Sequence, residues 1–370
     1  MMDPTLEAAL AAFSQHHHEL EHERAYLGAS EIGHDCERKL WYSFRLTPTD
    51  PIPAKGRAAI EDGHAGELVI VERLQRVPGL ELHAAQANGD QFKVVACDGH
   101  LQGHLDGAAT GLVQAPKTWH VFEAKVCNEK KFNKLKKLAA KDEKSALQEW
   151  DSVYYAQAQV YMHLTEMTRH YLVCATPGVR DWFAVRTDYD KNAAEVLIKK
   201  AQRIIDADTA PPRVRDDPEY YQCNWCDFKK YCHEKKVPKP NCRNCAHAVP
   251  SENGNWMCEY KGIENPTLCD DHVYEPSFVP YAAAGEGDPD ANTIEYTLPD
   301  GRKFKNGTRI QGSSVYTSKE LCETDPAIFG DSTVEVLRNQ FGGHVTESSF
   351  TPSDEVAAID WTIGDKDIPF

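Results

Sequence analysis

Hydrophobic spacing changes period along the chain, and the changes mark its elements. The first 25 residues are polar and rich in His and Glu. They read as a helix with a solvated face that carries His16, His17 and His18. Residues 29–46 read as a cap and a short amphipathic helix bearing Cys36. Residues 57–77 read as a longer helix, with Ile60, Leu68, Val71 and Leu74 at near-helical spacing. The period then falls to two. Residues 91–97, 100–110 and 119–127 read as consecutive strands, punctuated by Gly and Asn-Gly. A Lys-rich helix (129–148) and a Tyr- and Gln-rich helix (150–166) follow, then strands at 170–175 and 181–187 and a helix at 190–208. Together these make a mixed α/β core. Residues 211–272 are rich in Pro and Cys. Residues 275–370 are rich in Gly and Asp, with strand-like runs such as TIEYTLPDG, and read as a β-rich or irregular region.

The chain has 370 residues, too many for one average domain. Its composition, 41% hydrophobic and 26% charged, is that of a soluble globular protein. The N-terminus lacks a basic segment followed by an apolar one, and no apolar run is long enough to span a bilayer, so a cytoplasmic protein without a membrane partner is expected. A net charge of −16 argues against coating nucleic acid with the whole surface, though not against a local basic channel. Twelve cysteines in such a chain point to metal ligation before disulfides.

The candidate chemistry centres on His64, Asp106, Glu123 and Lys125. Asp106 lies in GHLDGAA, and Glu123 and Lys125 lie in VFEAKV on the next strand. Strand side chains alternate, so Glu123 and Lys125 share a face, and a hairpin can bring Asp106 beside them. Both charges interrupt an apolar strand (Trp119, Val121, Phe122, Val126), where an unpaired charge is costly. Two carboxylates and an imidazole form a hard donor set suited to Mg²⁺ or Mn²⁺. Such an ion can activate water and stabilise charge on a phosphate oxygen, with Lys125 orienting or deprotonating that water.

The ordered set GHAGE, GHLDGA and FEAK resembles the PD-(D/E)XK nuclease superfamily in its RecB-like branch. That resemblance implies a restriction-endonuclease-like mixed sheet flanked by helices. It implies hydrolysis of DNA phosphodiester bonds, with an exonuclease favoured over an endonuclease. The branch's Gln-X-X-X-Tyr motif matches Gln157 and Tyr161, which by resemblance contact the DNA strand near the scissile phosphate. Leu105 stands where the superfamily's name has proline.

Three cysteines, Cys223, Cys226 and Cys232, lie in YYQCNWCDFKKYC, and Cys36 is the candidate for a fourth soft ligand. One cysteine before the core and three after it is the layout of the CRISPR-associated RecB-like exonucleases and the AddB nuclease domain. The resemblance therefore implies a 4Fe–4S cluster tying together distant parts of the chain; zinc also satisfies four thiolates and remains open. Cys242, Cys245, Cys258 and Cys269 follow in a C-x2-C-x12-C-x10-C pattern that reads as a zinc-ribbon-like module, with His247 and His272 as substitute ligands. Cys97, Cys127, Cys174 and Cys322 stand alone in the sequence and are expected to be buried or inert thiols. The basic stretch 129–144 has two readings, a solvated helix face or a phosphate track; Lys134 and Lys137 are its candidate DNA contacts, and Arg38 and Lys39 are others.

The sequence thus divides into an N-terminal polar helix (1–24), a nuclease domain (25–235), a zinc module (236–275) and a C-terminal region (276–370). The implied setting is recombination, repair, or phage- or CRISPR-linked DNA processing in a bacterial or phage-infected cell. The substrate would be single-stranded DNA or duplex ends, and a recombination or helicase protein would be the partner. A metal-stapled DNA-binding or adaptor protein without catalysis is the alternative.

Overall fold

The computed structural model describes residues 3–20, 24–309 and 314–343. The last part of the predicted C-terminal region, 344–370, lies outside them, as do 1–2, 21–23 and 310–313. The chain opens with α1 (Pro4–Leu20), β1 (Leu27–Gly28), α2 (Glu37–Phe44) and α3 (Ala54–Leu74). The strands β2 (Glu81–His83), β3 (Phe92–Ala96), β4 (Leu101–Leu105), β5 (Gly107–Thr110) and β6 (His120–Val126) follow. Next come α4 (Glu129–Ala139), α5 (Glu143–Trp150), α6 (Ser152–Thr165), β7 (Arg169–Ala175), β8 (Trp182–Asp188) and α7 (Lys191–Ile205). The cysteine-rich stretch forms α8 (Tyr221–Asn224), α9 (Lys229–Cys232) and three short strands, β9 (Ala248–Pro250), β10 (Trp256–Cys258) and β11 (Ile263–Glu264). The C-terminal region adds β12 (Ala283–Asp288), β13 (Thr293–Thr297), β14 (Lys303–Gly307), β15 (Val315–Tyr316), α10 (Ser318–Glu323) and α11 (Ser332–Phe341).

The fold is mixed α/β. Its central sheet runs β2-β5-β6-β7-β8, parallel only between β6 and β7. A parallel pair needs helical cover on both faces, and β6 has it. Ile70 and Leu74 of α3 pack on Phe122, Ala124, Val173 and Ala175. Phe132, Leu135, Leu147 and Trp150 of α4 and α5 cover Leu172, Cys174 and Val185 from the other side.

The predicted strand 100–110 breaks in two at Asp106. β4 pairs with β1 and β3 in a separate small sheet, and β5 enters the central one. The expected 129–148 helix also breaks, because the Asp142 side chain caps a new helix by accepting from the Lys144 N–H at 3.1 Å. Of the 29–46 stretch only α2 is helical, with Cys36 at its N-cap. The buried face of α3 corrects the sequence pattern: Leu68 is 72% exposed, and the contact row is Gly66, Ile70 and Leu74. A Cβ on Gly66 would come within 2.6 Å of Val126, so its absence lets α3 lie against β6.

One hydrophobic core runs from Leu27 through α2, α6 and α7 to Trp256, Tyr274, Phe304 and Phe329, so the cysteine-rich and C-terminal regions share it. Arg45, just past α2, is the clasp. It is buried between Trp41 and Trp256, 5.1 and 5.3 Å from the ring centres. Its guanidinium donates to the carbonyls of Ala207, Arg243 and Ala248. The C-terminal strands form a four-stranded sheet, β12-β13-β14-β15. Among the described residues no helix is long and apolar enough to cross a membrane.

His170, on β7, is 2% exposed, and its Nδ1 has no partner among the described residues. Burial, reinforced by the charge of Lys125, pushes it down to about 3. The unfolded chain takes up this proton near pH 6.5 whereas the folded chain stays neutral, so stability falls as pH drops below that value. Between pH 7 and 5 the cost is about 2 kcal/mol. His170→Gln should therefore lose less stability than the wild type over that interval in urea titrations. Equal losses would remove His170 as the cause.

Candidate active site

Asp106 sits at the junction of β4 and β5, where the chain passes from one sheet to the other. Its Oδ2 accepts the N–H of Ala124 at 3.0 Å, which fixes the carboxylate against β6. Glu123 and Lys125 project from the same face of β6, and Lys125 Nζ lies 2.7 Å from Glu123 Oε1. The same ammonium is 3.6 Å from Asp106 Oδ2 and 3.5 Å from Glu67 Oε1. Three carboxylates thus surround one ammonium.

Glu67 is the residue that sequence reasoning missed. It lies in the same GHAGE segment as His64, one turn later on α3, and that spacing places both on one helix face. His64 is exposed at the rim, close enough for its charge to act on Glu67.

Burial sets the electrostatics. Glu123 is 4% exposed; desolvation pushes it up to about 7, with Lys125 opposing and Asp106 adding to the rise. Desolvation likewise raises Glu67. Burial works against the charge on Lys125, yet Glu123, Asp106 and Glu67 outweigh it and hold the ammonium well above its ordinary value. Glu123 Oε2 is buried without a hydrogen-bond partner among the described residues.

α6 supports this cluster from behind. Gln157 Nε2 donates to Glu123 Oε1 at 3.2 Å and to the Tyr161 hydroxyl at 3.3 Å. The Tyr161 hydroxyl donates to the carbonyl of His104 at 2.9 Å, and the residue is 2% exposed. Both side chains face the protein interior and position Glu123 and β4, rather than standing open to a DNA strand. Gly103 leaves room for Tyr161, since a Cβ there would lie 2.3 Å from its ring.

The other candidate DNA contacts are partly engaged. Arg38 donates to the carbonyls of Pro211 and Ala210, and Lys39 pairs with Asp227 at 3.6 Å. Lys134 donates to the carbonyl of Trp150 at 2.9 Å, and Lys137 is exposed on α4. A groove of about 860 Å³ lies beside β5, walled by His83, Phe92, Lys117 and Trp119; its Ala108 is two residues from Asp106. Trp119 is 43% exposed there and leans on His83, with ring centres 5.8 Å apart.

Cys36, Cys223, Cys226 and Cys232 line one cavity of about 330 Å³. Burial raises Cys223 and Cys226, and the Cys36 thiol adds to both shifts. Cys242, Cys245, Cys258 and Cys269 line a second cavity of about 150 Å³. Burial, with the other three thiols of that set, pushes Cys242 up to about 11. His272 is an unsuitable substitute ligand: Nδ1 bonds Ser318 Oγ at 2.7 Å, and Nε2 bonds Asn244 Oδ1 at 2.9 Å. His247 Nε2 is engaged with Asn292 Oδ1 at 2.6 Å. Among the described residues, no three His, Cys, Asp or Glu side chains already stand in metal-ligand geometry. At the carboxylates, the one ammonium of Lys125 faces three carboxyl groups.

No family model matches the chain, and no curated protein matches it in sequence. Among solved structures it is similar to SSO0001, at 14% identity over 63% of this chain and 98% of that one, with a TM-score of 0.35. It is also similar to the alkaline exonuclease LHK-Exo of Laribacter hongkongensis, at 16% identity over 54% of this chain and 90% of that one, with a TM-score of 0.34. The complex of LHK-Exo with dAMP gives 16% identity over 49% and 86%, with a TM-score of 0.33.

Proposed function

We propose that this protein is a divalent-cation-dependent deoxyribonuclease that degrades DNA from its ends. The observation that carries the reading is the excess of carboxylate at one point, where Glu67, Asp106 and the buried Glu123 face a single ammonium and Glu123 Oε2 has no hydrogen-bond partner among the described residues. A buried acceptor of this kind is costly unless something fills it, and oxygen donors with surplus negative charge suit Mg²⁺ or Mn²⁺. Asp106, Glu123 and Glu67 would hold the ion, with His64 at the rim. Once bound, the ion supplies Lewis acidity toward a phosphoryl oxygen and makes a nearby water more acidic. Lys125 remains protonated, so in this site it orients water and stabilises charge on the phosphate rather than accepting a proton. Gln157 and Tyr161 hold Glu123 and β4 in register.

The groove beside β5 suits a single strand: bases stack on exposed aromatic faces, and Lys117 meets the backbone. The four thiols around the larger cavity would hold a 4Fe–4S cluster, and those around the smaller one a zinc ion.

Digestion of end-labelled linear DNA, single-stranded and duplex, tests the reading against covalently closed circles. With Mg²⁺ or Mn²⁺, linear substrates should shorten to mononucleotides while circles survive, and chelation should stop the reaction. DNA that is bound yet intact with either ion would instead make this an adaptor protein.

A further inference from the structure

Cys127 and Cys174, which look solitary in the sequence, are neighbours in the fold. Cys127 follows β6 directly, its N–H donating to the carbonyl of Ala175 at 2.9 Å, and Cys174 pairs with Lys125 in the β6–β7 ladder. Their sulfurs stand 3.3 Å apart. Cys174 is fully buried, whereas Cys127 is half-buried. We infer that the two form a peroxide-sensitive thiol pair that closes to a disulfide across β6 and β7.

The surroundings divide the two roles. Cys127 precedes Asn128, the N-cap of α4, so the helix N-terminus and Lys131 favour an anion there. The hydrogen bond between the two sulfurs lowers the Cys127 thiol first, burial opposes it, and Lys131 lowers it further. The same hydrogen bond, with burial, keeps the proton on Cys174. Cys127 is therefore the attacking thiolate and Cys174 the resolving thiol.

The chemistry with a hydroperoxide balances. The Cys127 thiolate attacks one peroxide oxygen, the O–O bond breaks, and hydroxide leaves, giving a sulfenic acid. The Cys174 sulfur then attacks the Cys127 sulfur; the S–O bond breaks and water departs, carrying the Cys174 proton. Two thiols lose two electrons, and hydrogen peroxide is reduced to water. The resulting bond would tie the strand of Lys125 to its neighbour.

Peptide mapping of the whole protein, exposed to dilute hydrogen peroxide and then alkylated, tests the pair. A Cys127–Cys174 linked peptide should appear, two hydrogens lighter than its parts, and dithiothreitol should abolish it. Cys97, whose thiol burial pushes up to about 11, should remain alkylated. With Cys174→Ala, Cys127 should stall as a sulfenic acid that dimedone traps. With Cys127→Ser at the less buried site, Cys174 should stay a thiol. The wild-type map stands even if a variant misfolds. Recovery of both residues as free thiols, linkage of Cys127 to another cysteine, or a terminal sulfinic acid on Cys127 would each overturn the inference.

Discussion

Glu123→Gln should abolish cation-dependent DNA cleavage while leaving the protein at least as stable as the wild type. The substitution keeps the shape of the side chain and the contacts of Oε1 with Lys125 and Gln157. It removes the charge that would hold a divalent ion at the most buried point of the cluster. An ion that stabilises the developing phosphate charge is worth several kcal/mol, so the loss is on the order of 10³-fold or more. Stability should move the other way. A carboxyl whose folded pKa lies near 7 is harder to ionise in the protein than in the unfolded chain, so above that pH its charge costs folding free energy. A neutral amide removes this cost, and Lys125 keeps Asp106 and Glu67 as partners. Paired assays at pH 8, one of cleavage and one of thermal unfolding, give the result. Near wild-type cleavage by Glu123→Gln would sink the assignment of this site, whereas loss of cleavage through unfolding would count against the stability argument alone. Asp106→Asn should lose activity similarly, with a lower Tm, because its Oδ2 also holds the Ala124 N–H.

The Glu123–Lys125 pair was legible because alternation on a strand is a strong rule and charges inside an apolar strand are rare. Asp106 was legible as a residue but not as a junction, since 100–110 reads as one strand and nothing in its pattern announces a change of sheet. Glu67 was hidden by the weakness of α3 as a pattern. The contact row runs through Gly66, which carries no hydrophobic signal, while the conspicuous Leu68 faces solvent. Gln157 and Tyr161 were found through the resemblance, but motif spacing cannot distinguish a side chain that reaches DNA from one that braces a carboxylate. The 3.3 Å approach of Cys127 and Cys174 depends on the pairing of β6 with β7, which is non-local and leaves no mark in either segment. The core shared by the central α/β and C-terminal regions was equally invisible. It hangs on Arg45 reaching carbonyls some two hundred residues away, and a lone arginine after a helix reads as surface.

The two cysteine sets should respond differently to mutation, and α2 explains how. Cys36 is its N-cap, while Arg45, its C-cap, is held by carbonyls of the second set's region, Arg243 and Ala248. A group held by the first set would therefore brace one end of the helix, and the region of the second set holds the other. The cavity around Cys36, Cys223, Cys226 and Cys232 has more than twice the volume of the other, about 330 against 150 Å³, which suits a multi-atom cluster in the first and a single ion in the second. Purified protein should accordingly contain both iron and zinc and be brown. Cys36→Ala should bleach the colour, because one iron loses its thiolate. It should also destabilise the core by on the order of 4 kcal/mol, the scale expected when a tie closing a loop of this length is lost. Cys242→Ala should keep the colour and lose about one zinc per chain. Its cost in stability should be smaller but not zero, because slack in the Cys242–Cys245 turn frees the Arg243 carbonyl from Arg45. Elemental analysis, visible absorption and urea unfolding of the three proteins decide the matter. If zinc alone is found, with no iron even after anaerobic purification, the first set is a second zinc site and the cluster is refuted. The carboxylate site would stand regardless, since its geometry depends on α3, β6 and the β4–β5 junction and on neither set of thiols.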